Sequence, residues 1–454
     1  MTPAGLDGVE LGRMLADGRL DAPALAAEAV AGAERAPEVF LGVTAGRAAR
    51  EAEAGRARRR AGRPRSPLDG VPVAWKDMFD IAGKVTTAGS PQRRALPPAA
   101  ADAALVARLA DAGAVCVGAT NLSEFAFGGL GVNPHFGTPT RNGPDGHALV
   151  PGGSSSGAAM AVHLGIVPIA LGTDTSGSVR VPATFCGLVG YEASERRYPQ
   201  DGMLALSATL DSVGIIATSV RDVLATDALL TATAPAPRPH PPPRLVVPEG
   251  ELVEDCTPDV RREFARSVSL LSEHGVRVET RRVPVLEMAQ DLMDRHGTIV
   301  EADAHHRYGH LLDTPRPGDV DPGVLRRLRA ARRDVQPVRR ARATLRRRLA
   351  TELGGALLAC PAVRHVPPAL APLLADDALY DRTNRRTLRT TMLLSYLGMP
   401  GVTLPVGSRP GRDVGLLISA PAGRDPDLLR SAGIVEQLLQ PAARRVRNGR
   451  RQGA

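Results

Sequence analysis

Short uninterrupted apolar runs alternate along this chain with longer stretches of helical spacing, and this alternation constrains the fold more than any other feature. The runs include Gly70-Val71-Pro72-Val73-Ala74-Trp75, Ala114-Val115-Cys116-Val117-Gly118, Val167-Pro168-Ile169-Ala170-Leu171 and Arg244-Leu245-Val246-Val247-Pro248, with Val276-Arg277-Val278, Gly401-Val402-Thr403-Leu404-Pro405-Val406 and Gly415-Leu416-Leu417-Ile418 later. Each is too short for a helix and lacks the polar alternation of a half-exposed strand, so each reads as a strand buried on both faces. Helical stretches are predicted at about 20–60, 100–113 and 258–274. Strands that are buried on both sides and separated by helices mean an α/β architecture.

The chain divides near its middle. Ala234-Pro235-Ala236-Pro237-Arg238-Pro239-His240-Pro241-Pro242-Pro243 can only be extended, because proline supplies no donor to helix or ladder. The predicted organisation is a helical region over 1–65 packed on the core, a core segment over 66–232, a connector over 233–244, a second half of the same α/β domain over 245–440, and a basic tail over 441–454. Within the second half lies an Arg-rich helical insert at about 286–352.

The formal charge of +9 raises the question of a nucleic-acid partner, so the placement of the charge matters. From Asp321-Pro322 the residues Leu325, Leu328, Val335, Val338, Leu345 and Leu349 recur at helical spacing, and eleven Arg fall between Arg326 and Arg348. This predicts an amphipathic helix kinked at Pro337. Its basic side is either a solvated face or a surface for an acidic partner. No aromatic residues are interleaved for stacking, and nucleic acid is not expected as a partner.

Cys116, Cys186, Cys256 and Cys360 are scattered without a C-x-x-C pair, which argues against a disulfide framework and a zinc site. No metal or cofactor is expected. No stretch of about 18 apolar residues occurs, and residues 1–18 carry acids where a signal peptide is basic and then apolar, so a cytoplasmic protein without membrane contact is expected.

Of the 57 basic residues only Lys76 and Lys84 are lysine. Arginine stays protonated in any protein setting, whereas burial can push a lysine to the neutral amine, which can act as a base. Lys84 follows Gly83 in a polar stretch and reads as incidental. Lys76 ends the apolar run entered through Ser66-Pro67-Leu68-Asp69, and so should close a buried strand.

Two Gly/Ser loops flank one predicted helix-strand unit: Val150-Pro151-Gly152-Gly153-Ser154-Ser155-Ser156-Gly157, and Gly172-Thr173-Asp174-Thr175-Ser176-Gly177-Ser178-Val179-Arg180. The first lacks the Gly-Lys-Ser/Thr of a phosphate-binding loop. It remains readable as a flexible linker, or as a serine loop, since Gly153-x-Ser155-x-Gly157 matches the hydrolase elbow without the strand that should precede it. The second is short and small, so that consecutive N–H groups can converge on an oxyanion while Ser178 supplies a hydroxyl. A serine needs a base, the histidines lie in polar contexts or, for His163, on an apolar helix, and Lys76 is the remaining candidate.

Together, Ser66 to Asp80, Val150 to Gly157, Gly172 to Gly190 and Leu210-Asp211-Ser212-Val213-Gly214 resemble the amidase signature family, strongly over about 66–220 and loosely over 354–440. The resemblance implies a large mixed twisted β-sheet core covered by helices on both faces, with 66–232 as the catalytic core. It implies an amide hydrolase with Ser178 as nucleophile, Ser154 as bridging serine after a cis Gly153–Ser154 bond, and Lys76 as base. Thr175, Ser176, Gly177 and Ser178 would supply oxyanion-hole amides, and Ser155, Thr173, Asp174 and Arg180 would support them. The implied partner is a small-molecule amide; a homodimer is left open.

Three departures stand out. Ser176 replaces a usual Gly, while Glu192 and Ala119 replace frequent lysines; Glu192 reads as structural, without bearing on activity. The glutamine-hydrolysing subunits of tRNA-dependent amidotransferases, the alternative within the family, carry an acid in the segment corresponding to Arg382–Gly398, which here has none and offers Arg385, Arg386 and Arg389. A stand-alone hydrolase is thereby favoured, with a carboxylate-bearing substrate as a weaker expectation, over such a component or a non-catalytic binding protein.

Overall fold

A computed structural model describes residues 6–233, 241–313, 318–331, 334–407 and 411–449. Thirteen strands occur among them: β1 (Phe40–Val43), β2 (Pro72–Lys76), β3 (Val115–Thr120), β4 (Arg141–Asn142), β5 (Ala148–Leu149), β6 (Ile169–Asp174), β7 (Val189–Glu192), β8 (Ser212–Ala217), β9 (Arg244–Pro248), β10 (Arg277–Arg281), β11 (Leu357–Pro361), β12 (Gly401–Val406) and β13 (Val414–Ser419). Eleven form one mixed sheet in the order β1-β3-β2-β6-β8-β7-β12-β13-β11-β9-β10, and β4 and β5 pair separately.

The predicted apolar runs all lie in this sheet, and their side chains alternate between its faces. Val73 and Trp75 of β2, Ile169 and Leu171 of β6, and Val213 and Ile215 of β8 belong to one core cluster. Ala74, Ala170 and Ile216, each next to one of these along its strand, belong to another, built on the small residues of helix Ser156–His163. On the far half of the sheet, Leu358, Cys360 and Leu417 face a third cluster formed with helices Pro284–His296, Ile299–Tyr308, Gln336–Leu353 and Asp377–Tyr396. In the interior strands the alternation explains why the runs lack polar residues, since neither face is wet; the edge strand β10, expected to be buried on both faces, is instead exposed or half-exposed along its length, which is why it tolerates Arg277. The alternation also sets Lys76 on the Ala74 side, the side of the small-residue helix.

The Arg-rich stretch differs from expectation. It forms two helices, Pro322–Ala330 and Gln336–Leu353, with Pro337 in the first turn of the second, where a missing N–H leaves nothing unsatisfied. Four of its cations are paired with acids from distant parts of the chain: Arg326 with Asp377 and Asp381, Arg339 with Asp303, Arg342 and Arg346 with Glu195. Of the proline-rich connector, 234–240 lie outside the described residues. Helix Asp425–Gly449 carries regular backbone into the stretch expected as a tail. The four cysteines are buried and free, and no described helix is long and apolar enough to cross a membrane.

Trp75 is buried in β2 and meets Phe79 edge-on, with ring centroids 5.3 Å apart. Trp75→Ala is expected to lower stability by about 3–5 kcal/mol in urea unfolding followed by circular dichroism. A loss below about 1 kcal/mol would contradict the packing described.

Candidate active site

β2 pairs in parallel with both β3 and β6, so the ends of β2 and β6 open at the same edge of the sheet, where the chain leaves β2 for β3 on one side and returns to β6 on the other. Such carboxyl-end crevices are where α/β sheets present functional groups. Lys76 is the last residue of β2 and is fully buried. Its Nζ lies 2.8 Å from Ser154 Oγ, 2.8 Å from Thr173 Oγ1 and 3.4 Å from the Thr173 carbonyl oxygen. Burial lowers its pKa to about 7, against the opposing charges of Asp174 and Asp211.

Ser154 follows a cis bond from Gly153. Its carbonyl accepts from the N–H groups of Ser123, at 3.1 Å, and Ser156, at 2.9 Å, while the Gly153 N–H donates to Gly129 at 2.8 Å. The Ser155 N–H donates to the Ser178 carbonyl at 3.1 Å and its hydroxyl to the Thr173 carbonyl at 3.4 Å, which ties the first loop to the second. Lys76, Ser154 and Thr173 are therefore in direct contact. Ser178 adjoins them through its backbone, and among the described residues its hydroxyl makes no hydrogen bond.

The second loop begins where β6 ends. Asp174 accepts from the Gly177 N–H at 2.5 Å and the Val179 N–H at 3.0 Å. This corrects one expectation: the Gly177 amide, expected to face an oxyanion, is already committed to a carboxylate. Among the described residues the N–H groups of Thr175, Ser176 and Ser178 make no hydrogen bond and stay available. Gly177 has φ +125°, and a Cβ there would fall 2.2 Å from Thr391 Oγ1, so glycine is required. The Thr391 hydroxyl donates to the Ser176 carbonyl at 2.6 Å, and the Thr175 hydroxyl to Asp211 Oδ1 at 2.6 Å. Burial raises Asp211 to about 6, against the hydrogen bond from Thr175.

Beneath the loop lies a buried charge cluster. Arg180 reaches Asp174 through Nε and Nη2, both at 3.1 Å, Glu192 through Nη1 at 2.9 Å, and Ser395 Oγ through Nη2 at 2.6 Å. Burial alone would raise the Asp174 pKa, but the adjacent Arg180 charge and its hydrogen bonds hold it below the ordinary carboxylate value. Burial drives Glu192 well above its ordinary value despite Arg180. Glu192 thus belongs to the support of the loop, a connection its place as a replaced lysine did not suggest. Asp211, Thr391 and Ser395 also take part without having been expected to; Asp211 lies inside the motif Leu210–Gly214, whereas the expectation for the helix carrying Thr391 and Ser395 rests on its charged residues alone.

The arginines expected to face a substrate carboxylate do not do so. Arg386 pairs with Asp255 and Arg389 with Glu251 and Asp294, while Arg385 is exposed.

Comparison with known proteins adds the family. The family model described as Amidase matches residues 28–429. The chain is 35% identical over 393 residues to the 2-amino-5-chloromuconic acid deaminase of Comamonas testosteroni, covering 83% of each chain. It is 42% identical over 226 residues to a glutamyl-tRNA(Gln) amidotransferase component of Cupriavidus necator, covering 48% of this chain and 44% of that one. A solved structure described as an amidase superposes with a TM-score of 0.83 and 30% identity, covering 96% of this chain and all of the other.

Removing one partner of a buried ion cluster leaves uncompensated charge. Arg180→Met is expected to cost about 3–5 kcal/mol in urea unfolding; a change under about 1 kcal/mol would show that Asp174 does not depend on it.

Proposed function

The chain belongs to the amidase family, and from that premise we propose that it hydrolyses a carboxamide C–N bond through an acyl-enzyme on Ser178, with Lys76 as the base and Ser154 as the relay between them. The observation that carries this reading is a fully buried lysine, poised to be neutral near pH 7, donating to or accepting from Ser154 at 2.8 Å.

The steps follow from the groups present. Neutral Lys76 takes a proton from Ser154 as Ser154 takes one from Ser178, and Ser178 Oγ adds to the amide carbonyl. The free N–H groups of Thr175, Ser176 and Ser178 receive the negative oxygen as it forms, and their directions are fixed beforehand by Asp174, Asp211 and Thr391. Ser154 then returns its proton to the departing nitrogen, so that a neutral amine leaves. Water repeats the relay on the acyl-enzyme and regenerates Ser178.

The likeness to an amidotransferase component supports a second reading, a glutamine-hydrolysing part of a larger assembly. Against it, the buried side of helix Asp377–Tyr396 presents Asn384, Thr387, Thr391 and Ser395 toward the core and no carboxylate that could bind a substrate ammonium. A stand-alone hydrolase, working in the cytoplasm, is the better-supported reading. A fluorophosphonate probe should label Ser178 in the purified chain without any partner, and labelling only in the presence of another protein would favour the assembly.

Lys76→Ala and Ser178→Ala should each reduce amide turnover by about a thousandfold or more while circular dichroism stays unchanged. Retention of activity in either would overturn the assignment. Because the Lys76 pKa is lowered, the base form accumulates above about pH 7. The kcat/KM of the wild type should therefore rise as pH increases through about 7 and then level; a fall over that interval would rule out a neutral lysine base.

A further inference from the structure

Asp211 is an almost wholly buried carboxylate at the entrance to β8. Both its oxygens are engaged: Oδ1 accepts from the Thr175 hydroxyl at 2.6 Å and Oδ2 from the Leu206 N–H at 2.7 Å. Thr175 is the first residue of the loop after β6, so its side chain is tethered while its own N–H stays available to an oxyanion. The same carboxylate also acts on Lys76 without touching it, and its negative charge favours the protonated amine. One side chain therefore reaches both halves of the reaction, the donors that receive the oxygen and the base that takes the proton.

The Arg-rich part of the chain holds Asp211 in place. The Asp211 N–H donates to the Ser207 carbonyl at 2.9 Å and the Leu210 N–H to Ser207 Oγ at 3.2 Å, which closes a tight turn. Ser207 Oγ donates to Asp303 Oδ2 at 2.5 Å, and Asp303 Oδ1 is paired with Arg339, whose Nη1 also donates to Thr209 Oγ1 at 3.2 Å. The Tyr308 hydroxyl donates to the Ala205 carbonyl at 3.0 Å, just ahead of the turn. Helices Ile299–Tyr308 and Gln336–Leu353 thus clamp the turn that carries Asp211. An insert read from sequence as a solvated or partner-facing surface supports the reacting loop from behind.

The charges that bear on this arrangement can be named. Asp174 and Asp211 act on Lys76, and Lys76 acts back on Asp211. Asp303 and Arg339 form a closed pair behind the turn. Burial pushes Tyr308 up to about 12, so that it stays neutral beside Asp211. Burial brings Asp211 to about 6, which leaves it charged where Lys76 titrates and neutral below that. We propose that Asp211 is a positioning residue for the reaction, which aims the Thr175 N–H at the oxyanion and sets the strength of Lys76 as a base, so that the productive form has Asp211 ionised and Lys76 neutral. This rests on the amide-hydrolase reading above.

The test follows the rate at which a fluorophosphonate modifies Ser178 from about pH 5 to about pH 9. In that reaction Ser178 Oγ bonds to phosphorus, fluoride leaves, and the serine proton passes through Ser154 to Lys76. In the wild type the logarithm of the rate should rise with a slope of one between about pH 6 and 7 and steepen toward two below about 6, because two groups must lose protons. Asp211→Asn should show a slope of one throughout, with its midpoint lower by about one unit because the anion that favoured protonated Lys76 is gone. Its plateau should fall by about tenfold or more as the Thr175 amide loses its aim. Thr175→Val keeps the charge and removes the tether, so its maximal rate should fall by about tenfold or more without a lower midpoint and with reagent affinity kept within about twofold. A wild-type slope of one down to about pH 5, which is read without any variant having to fold, would overturn the proposal. So would an unmoved midpoint in Asp211→Asn or an undiminished rate in Thr175→Val. Each of these with Ser178 still labelled leaves the hydrolase reading standing; no labelling at any pH and no amide turnover would reject that reading itself.

Discussion

The centre of the molecule depends on Asp174. It is the last residue of a buried strand, and its carboxylate gathers the amides of Gly177 and Val179 into a tight turn, which fixes where the remaining amides of the loop point. A buried carboxylate in that role is tolerable only because Arg180, two residues beyond Ser178, folds back onto it and is itself shared with Glu192 and Ser395. The loop's shape, the availability of its donors and the docking of helix Asp377–Tyr396 are consequences of one anion being satisfied from several directions.

The same burial acts in opposite senses on the charges of the site. Arg180 keeps its proton because guanidinium cannot lose it and two acids surround it, whereas Lys76, which feels the charges of Asp174 and Asp211 but has no direct carboxylate partner among the described residues, is lowered toward neutrality by burial. A chain that uses arginine almost everywhere keeps lysine at the position where a cation must be able to become a base.

Much of this was legible in the sequence, for identifiable reasons. The apolar runs located the long strands because burial on both faces leaves no polar residue to blur them, and the two Gly/Ser loops with Lys76 located the centre because chemistry at that spacing tolerates few residue types. The short strands β1 and β7 were not legible: four residues such as Phe40–Val43 carry no period, and Val189–Glu192 ends on an acid that only the fold shows to be paired. Pro337 suggested a kink because sequence spacing alone cannot tell a bent helix from a second helix starting at that proline. The Gly177 amide was misjudged because backbone donors look alike until the acceptor, Asp174, is placed. Arg327 could not be separated from its ten companions, since only the fold places it between the rings of Phe127 and Tyr380.

Helix Asp377–Tyr396 makes contact all along the site. Its Thr391 holds the Ser176 carbonyl, Leu388 packs against Gly129, Asn384 takes the Gly129 N–H, and Tyr380 lies beside Arg327. At about 1.5 Å per residue, the eleven residues from Tyr380 to Thr391 span about 16 Å along one stiff rod. The helix therefore acts as a gauge: the separation between the loop at Ser176 and the backbone at Gly129 is set by its pitch, not by any loop. Evolution could retune that separation only by exchanging side chains at stations such as 384 and 388, because adding a single residue would swing every later station about 100° around the axis and detach the gauge from the loop it measures.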